Sequence, residues 1–494
     1  MPTPTNASTK KEHSTQTGNK QLMQIFKIDK PFVLTIFGAS GDLAKLKLFP
    51  ALYSLAEQKR LPKEYYIVGY ARTKMSNQDF HKIFTDSIKK AHKNPDPKII
   101  KSILKHITYF AGQYSRKSDF IEYRNYLKKL KGPKIMMKLA YFSVPPTVFK
   151  DIIKNLGDTR RRPNEDLRLI IEKPFGEDTE SAEELFHFVA RYFHEEAVYL
   201  LDHYLGKSAV QSILNLRHAN RMLNLMMKGP EVANIQITAF EKLGVESRIG
   251  YFDKVGTVKD MIQSHLLQIL ALVGMSIPIS ETEESLHREK YTILSALRFI
   301  ESQKNLVLGQ YEGYNSQKDV PKSSKTETFA GLRLFIDRES WYKVPIYIRT
   351  GKQLHEKHTY VVVELKKFGF QPKEEEPNRI IFELQPNEKI NIRLINKHGA
   401  KSNYQSLETS DSIACDGDFC LPEHGLLLLD VVRQKRCNFL SFPEIIATWK
   451  IIDKITNFVK KNKPKVEKYK KGSPGPKSQE DLTKLDGFKW FDNH

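Results

Sequence analysis

Six consecutive residues, Asp202-His-Tyr-Leu-Gly-Lys207, bring a carboxylate, an imidazole, a phenol and an ammonium into one short segment. His203, Tyr204 and Lys207 all donate hydrogen bonds, a set that suits a phosphate. Asp202 can orient or neutralise a base. A solvated turn would explain any one of these residues, but four functional types in six positions point to a site. A second set lies in Val258-Lys-Asp-Met-Ile-Gln-Ser-His-Leu-Leu-Gln-Ile-Leu270, which carries Asp260 and His265. His265 falls in helical register with Ile262 and Ile269, where a lone histidine is more often a satisfied core residue. If Asp202 meets it in the fold, the pair is a general base held by a carboxylate. A third candidate is Lys173 in Glu172-Lys-Pro-Phe-Gly176. A residue before proline is pushed out of the helical region. That aims Lys173 into a crevice, where it could touch substrate and cofactor together. Pro174 is a candidate cis proline, a deliberate turn device.

These residues need strands and helices to place them. The apolar run Ala197-Val-Tyr-Leu-Leu201 reads as a buried strand, so the Asp202–Lys207 cluster sits where that strand ends. Ligands bind at the carboxyl ends of strands in an open α/β sheet. Phe32-Val-Leu-Thr-Ile-Phe37, Tyr65-Tyr-Ile-Val-Gly-Tyr70, Leu139-Ala-Tyr-Phe-Ser-Val144 and Leu167-Arg-Leu-Ile-Ile171 read as further buried strands, with helical patterns between them. Such alternation implies a parallel, doubly wound, Rossmann-type sheet. After about residue 208 the pattern changes. Ala233-Asn-Ile-Gln-Ile-Thr238, Val344-Pro-Ile-Tyr-Ile-Arg349, Thr359-Tyr-Val-Val-Val-Glu-Leu365 and Ile390-Asn-Ile-Arg-Leu394 alternate as antiparallel strands with one solvated face. The expected fold class is therefore α/β: a doubly wound Rossmann-type domain, then an α+β domain built on a large antiparallel sheet. The expected boundaries are a disordered tail over 1–27, a dinucleotide-binding domain over 28–207, and a substrate and oligomerisation domain over 208–494 that ends in a basic tail.

The turn after the first strand is Gly38-Ala-Ser-Gly-Asp-Leu-Ala44. Small residues at 38, 41 and 44 let the backbone approach a pyrophosphate, and the following helix N-terminus supplies amide donors. The end of the second strand selects the nucleotide. An NAD site places an acidic residue there, on the ribose hydroxyls. This chain has Arg72, whose guanidinium can grip a 2′-phosphate through paired bonds, a simple solvent-facing arginine being the alternative. The residues suit NADP, with NAD as a weaker alternative.

Composition bounds the rest. A chain of 494 residues has two domains as its natural prior. Its 40% hydrophobic content is that of an ordinary soluble protein. No apolar run reaches the length of a membrane span, and the N-terminus lacks the apolar core of a secretory signal, so a cytoplasmic protein is expected. The net charge of +21 favours anionic partners, from phosphorylated metabolites to nucleic acid. The densest cations, Lys460-Lys-Asn-Lys-Pro-Lys465 and Lys468-Tyr-Lys-Lys471, read as a solvated basic tail in preference to a nucleic-acid site. Three cysteines, Cys415, Cys420 and Cys437, form an odd and sparse set that indicates a reducing compartment. Cys415 and Cys420 are too far apart for a zinc knuckle, so no metal is expected.

With these residues in view, the chain closely resembles the glucose-6-phosphate dehydrogenases over residues 31–491. The likeness rests on GASGDLA at 38–44, YAR at 70–72, EKPFG at 172–176 and LLDHYLGK at 200–207. It continues in EKLGVESRIGYFDKVG at 241–256, KDMIQSHLLQ at 259–268, TETF at 326–329, RTGK at 349–352, LQPNE at 384–388 and GSPGP at 472–476. The resemblance implies oxidation of glucose 6-phosphate to 6-phosphogluconolactone with hydride passed to NADP, the first step of the oxidative pentose phosphate pathway. It implies that His265 is the base and Asp202 its orienting carboxylate. His203, Tyr204, Lys207 and Lys352 match phosphate or substrate positions, and Glu241, Asp260 and Gln385 match groups that bind sugar hydroxyls. Lys173 matches the lysine between sugar and nicotinamide, and Gly38, Ser40, Gly41, Leu43 and Arg72 match cofactor positions. A homodimer or homotetramer is implied as well. Four positions depart from the family's pattern. Lys259 replaces an arginine, and Ser264 replaces an asparagine. Asp337-Arg-Glu-Ser-Trp341 stands for DNWRW, and Gln434-Lys-Arg-Cys437 stands where a glycine-aspartate turn is usual.

Two rival readings have distinct consequences. The first is a dehydrogenase for another sugar phosphate or a free sugar, and a free sugar has no use for the cations at 203–207. A non-catalytic nucleic-acid binder on a dehydrogenase scaffold would use the basic charge, but it has no need of His265, Asp202 and Lys173 together.

Overall fold

The computed structural model describes residues 28, 30–130, 136–160, 165–245, 249–280, 282–367, 369, 376–398, 401–408 and 421–492. The stretch 1–27 expected as a disordered tail lies outside the described residues, as do Cys415 and Cys420. Two compact units emerge. One is Met1–Lys173, His187–Leu201 and Asp418–Arg436; the other is Pro174–Phe186, Asp202–Gly417 and Cys437–His494.

The first unit is built on six strands: β1 (Phe32–Phe37), β2 (Tyr65–Ala71), β3 (Ile107–Ala111), β4 (Met137–Phe142), β5 (Leu167–Glu172) and β6 (Val198–Leu201). Their order is β3-β2-β1-β4-β5-β6, and every pair is parallel. The expected doubly wound sheet is present. Strand order reverses between β1 and β4, which makes the crevice beyond their carboxyl ends the place for a ligand. The strands are apolar because helices cover both faces. One face carries an aromatic cluster in which Phe37 packs on Tyr70, Phe142 and Phe120 at centroid distances of 4.9, 5.7 and 5.9 Å. Helix ends are set locally. Ser76 and Asp79 form a reciprocal capping box at the start of Asn77–Ala91, and Asp96 caps Pro97–Leu104. Far along the chain, helix Glu423–Arg433 returns to this unit, where buried Arg168 donates to the Val432 carbonyl at 3.1 Å. That helix ends on Gln434, which takes a left-handed conformation with φ 64°.

The second unit holds β7 (Val232–Phe240), β8 (Leu297–Arg298), β9 (Leu306–Tyr311), β10 (Phe329–Ile336), β11 (Ile346–Gly351), β12 (His358–Leu365), β13 (Arg379–Gln385), β14 (Lys389–His398), β15 (Lys401–Glu408) and β16 (Val466–Tyr469). The sheet order is β15-β14-β13-β12-β7-β11-β10-β9-β16, with β8 pairing β10. It is antiparallel except for the parallel pairs β7–β11 and β9–β16. The large sheet matches the expectation, but its central strands differ from it in exposure. β7, β11 and β12 are buried almost end to end, so no face there is solvated. The polar residues that suggested a wet face are satisfied internally. Gln236 donates to the Lys489 carbonyl at 3.0 Å and accepts from the Phe491 amide at 2.8 Å, and Asn234 donates to Glu364 at 3.1 Å. Part of the covering is the C-terminal segment, whose Trp490 and Phe491 are buried. The basic stretch expected as a solvated tail keeps its lysines exposed, but its backbone is part of the fold. It forms the end of helix Phe442–Asn462 and then β16.

Candidate active site

The chain leaves β6 and turns at once. Residues 202–207 form a tight turn, with the Leu205 amide on the Asp202 carbonyl and the Lys207 amide on the Tyr204 carbonyl, both at 3.1 Å. Helix Ser208–Ala219 follows. The turn points its polar side chains at a second helical segment. That segment begins after Gly256, whose φ of 71° breaks the preceding helix, and runs as a π-type helix over Val258–Leu266 into Leu267–Gly274. A π-helix closes i→i+5 bonds. The wider turn brings residues five apart, such as Asp260 and His265, closer to one face than an α-helix would. The α-helical register expected from Ile262 and Ile269 does not describe this stretch.

Asp202 and His265 meet. Nδ1 of His265 lies 2.6 Å from Oδ1 of Asp202, and both side chains are only 1% exposed, so water cannot substitute for either partner. The same Oδ1 accepts the Tyr204 amide at 2.9 Å. The carboxylate thus fixes the tautomer that carries its proton on Nδ1 and leaves Nε2 as the basic nitrogen. The Tyr204 ring stacks on the His265 ring at 4.1 Å, and the His203 ring stands edge-on to it at 4.7 Å. Burial first, and then the carboxylates of Glu241, Asp202 and Asp260, push the Tyr204 phenol well above its ordinary value, so it remains a donor. The buried Lys207 ammonium sits 3.6 Å from the Tyr204 ring centroid, a cation–π contact.

Lys352 begins the turn after β11. Its Nζ lies 2.5 Å from Glu241 and 3.4 Å from Asp260. Burial alone would lower this ammonium, but the two carboxylates outweigh it and hold Lys352 above its ordinary value. Gln385 ends β13 opposite Thr359 of β12, and Thr359 hydrogen-bonds the Tyr204 phenol. The second unit therefore gathers Asp202, His203, Tyr204, Lys207, Glu241, Asp260, His265 and Lys352 around one centre. Asp202, His203 and His265 offer ligand atoms within 4.8 Å of one another, a spacing that a metal ion could also use.

The other candidates belong to the first unit. Lys173 directly follows β5, beside Glu172, which accepts from Tyr141 and faces His424 at 3.4 Å. The one cis peptide among the described residues is Gln385–Pro386, so Pro174 does not take the cis form expected for it. Gly38 has φ 83°, and a Cβ there would overlap the Ser143 carbonyl; only glycine fits. The Gly41 amide closes the turn on the Gly38 carbonyl at 2.9 Å. Ser40 ends this turn, and Leu43 lies in the first turn of the helix after it. The arrangement is a cradle that brings backbone amides to a helix N-terminus, and it fits a dinucleotide pyrophosphate. Arg72 follows β2 and is exposed. Its guanidinium lies 5.7 Å from the Tyr114 ring, and Tyr114 hydrogen-bonds the Gly38 backbone. Sequence reasoning missed Tyr114. It sits in a loop after β3 with no motif around it, and only the fold shows that it joins the glycine turn to Arg72.

Two family models cover the chain. Residues 35–212 match the glucose-6-phosphate dehydrogenase NAD binding domain, and residues 214–491 match the glucose-6-phosphate dehydrogenase C-terminal domain. The chain belongs to the glucose-6-phosphate dehydrogenase family. It is similar to the glucose-6-phosphate 1-dehydrogenase of Aspergillus niger, at 33% identity over 97% of this chain and 96% of that one. It is similar also to that of Bacillus subtilis, at 33% identity over 93% and 98%. Among solved structures, a glucose-6-phosphate dehydrogenase in complex with its substrate glucose-6-phosphate superposes with a TM-score of 0.86, at 30% identity over 94% of this chain and 99% of that one. The enzyme from Mycobacterium avium superposes with a TM-score of 0.82, at 30% identity over 93% and 98%. Membership brings with it a nicotinamide dinucleotide as cofactor. No helix among the described residues is long and apolar enough to cross a membrane.

The departures from the family pattern have local accounts. Lys259 donates to the Glu177 carbonyl at 2.8 Å. Trp341, the tryptophan that survives in the altered Asp337–Trp341 stretch, is buried and donates from its indole to the Gly274 carbonyl at 3.1 Å, fastening the far end of the His265 helix. Ser264 is buried beside His265, and nothing further explains its choice.

Proposed function

We propose that the chain oxidises glucose 6-phosphate at C1 to 6-phosphogluconolactone, with NADP as the preferred hydride acceptor, in the oxidative pentose phosphate pathway. The observation that carries this reading is the buried Asp202–His265 pair at 2.6 Å, set among the cations of the 202–207 turn. His265 takes the C1 hydroxyl proton at Nε2 as the C1–O bond becomes a carbonyl. Asp202 holds the ring and stabilises the imidazolium that results. The bound dinucleotide supplies the acceptor for the hydride that leaves C1. Lys207, His203 and Tyr204 hold the phosphate, where charge-assisted bonds from buried donors are strong. Glu241 and Asp260, each paired with the Lys352 ammonium, accept from the sugar hydroxyls together with Gln385. Gly38, Ser40, Gly41 and Leu43 cradle the pyrophosphate, Arg72 grips the 2′-phosphate, and Lys173 reaches sugar and nicotinamide.

The phosphate set favours glucose 6-phosphate over free glucose. The test is reduced dinucleotide formation from glucose 6-phosphate and from glucose, with NADP and NAD in parallel. Activity with glucose 6-phosphate and NADP far above the other pairs supports the reading; equal activity with glucose sinks it. A cytoplasmic homodimer or homotetramer completes the proposal, and light scattering of the purified chain measures its mass directly.

A further inference from the structure

We infer that Glu327 is a positioning residue: it fixes the first turn of the helix that carries Asp260 and His265 and, through Thr328, ties that turn to the backbone of Lys352. The inference rests on the roles proposed above for those three residues. Glu327 lies in the TETF stretch just before β10, and it touches the helix start three times. Its Oε1 accepts the Val258 amide at 3.1 Å. Its main-chain carbonyl accepts the Thr257 amide at 3.1 Å and the Thr257 hydroxyl at 3.0 Å. The first amides of a helix have no partner within it, so an acceptor placed here decides where the helix begins. Gly256 makes room for it. With φ 71°, this glycine turns the chain sharply, and a Cβ on it would overlap the Glu327 carboxylate.

The next residue works in the other direction. The Thr328 carbonyl accepts the Lys352 amide at 2.9 Å. The Tyr469 hydroxyl donates to the Lys352 carbonyl at 2.7 Å and also contacts Thr328. Two adjacent residues therefore brace the helix bearing Asp260 and the turn bearing Lys352, whose side chains meet at 3.4 Å. A carboxylate at a helix start also suits the positive end of the helix dipole. Burial pushes Glu327 up to about 7, so it exchanges its proton near neutrality, and either form keeps an oxygen that can accept from Val258.

The test compares Glu327→Ala with Glu327→Gln in the full chain. It reads kcat and KM for glucose 6-phosphate, the Kd for the dinucleotide, the melting temperature, and the imidazole NMR signal of His265, assigned by its loss in His265→Asn. A displacement of about 1 Å at a catalytic group costs roughly 10²-fold in rate. Glu327→Ala is expected to lower kcat by roughly 10- to 10²-fold on that basis, to raise KM, to move the His265 signal and to leave dinucleotide affinity unchanged. Glu327→Gln keeps the acceptor for Val258 and is expected to stay close to the wild type in all of these. Should Glu327→Ala fail to fold, Glu327→Asp draws the oxygens back by one methylene and is expected to lower kcat where Glu327→Gln does not. Equal losses in the alanine and glutamine variants overturn the inference, as does an alanine variant with a lower melting temperature but unchanged kcat and His265 signal. A wild-type chain without glucose 6-phosphate activity overturns the functional reading instead. The His265 signal then decides on its own: movement in Glu327→Ala but not in Glu327→Gln supports positioning, and no movement refutes it.

Discussion

Replacing Asp202 with asparagine separates two things this carboxylate does: it selects a tautomer and it supplies charge. Oδ1 of Asp202 accepts from both His265 Nδ1 and the Tyr204 amide, at 2.6 and 2.9 Å. An amide NH2 cannot face the Tyr204 N–H, so the substituted side chain must keep its oxygen where Oδ1 was. The His265 tautomer then survives, and only the charge is lost. A hydrogen bond to a charged group contributes about 1.5–3 kcal/mol, and each 1.36 kcal/mol is a factor of ten in rate. The expected fall in kcat is therefore about 10- to 150-fold by that conversion. It is smaller than the roughly 10⁴-fold loss that follows when such a substitution imposes the wrong tautomer. His265→Asn removes the base itself and sets the floor, at about 10²- to 10⁴-fold below wild type. The assay is reduced-dinucleotide formation at saturating glucose 6-phosphate and NADP, with folding checked by near-ultraviolet circular dichroism. Wild-type turnover in Asp202→Asn refutes a catalytic role for the pair. A loss as deep as that of His265→Asn refutes the tautomer argument, because it means the Tyr204 amide does not hold the amide oxygen in place.

Lys207→Ala removes a buried ammonium and is expected to weaken glucose 6-phosphate binding by about 1.5–3 kcal/mol, as for one charge-assisted bond, while leaving free glucose unaffected; equal weakening of both excludes a phosphate contact. Arg72→Ala is expected to weaken NADP more than NAD, because a guanidinium gains paired bonds from a 2′-phosphate and little from a hydroxyl. The ratio of kcat/KM values with NADP and NAD at fixed ionic strength measures this, and an unchanged ratio shows that Arg72 does not read the 2′-phosphate. Gln434→Gly is expected to stabilise the chain by about 0.5–1 kcal/mol. Gln434 is exposed at φ 64° where the helix Glu423–Arg433 ends, and relief of left-handed strain of roughly 1–2 kcal/mol outweighs the extra freedom glycine gives the unfolded chain. Denaturant unfolding measures it, and a loss of stability refutes it.

The first unit was legible because its strands are apolar through and through and its helices alternate with them. The 202–207 cluster was legible because its types crowd into one turn. The pairing of Asp202 with His265 could be posed as a condition but not answered, since 63 positions separate the two and no local pattern spans them. Two features were hidden for physical reasons. The polar residues of β7 read as a wet face because alternation in a strand reports chemistry and not cover. Gln236 is fully buried because the distant Lys489–Phe491 backbone meets its amide. The π-type stretch was hidden because most of Val258–Leu266 is buried, and a segment covered on several sides has no apolar stripe whose period could tell one hydrogen-bond ring from another. Here the departure from the α-helical ring matters to the site. An α-helix turns residues 260 and 265 well apart, whereas the i→i+5 ring brings them toward one side. Its start is held by Glu327 at Val258, and the helix Leu267–Gly274 that continues it is held at its far end by Trp341. A helix left to its own propensity would relax to the tighter form, so the contacts that pin its two ends are part of what places the base opposite Asp202.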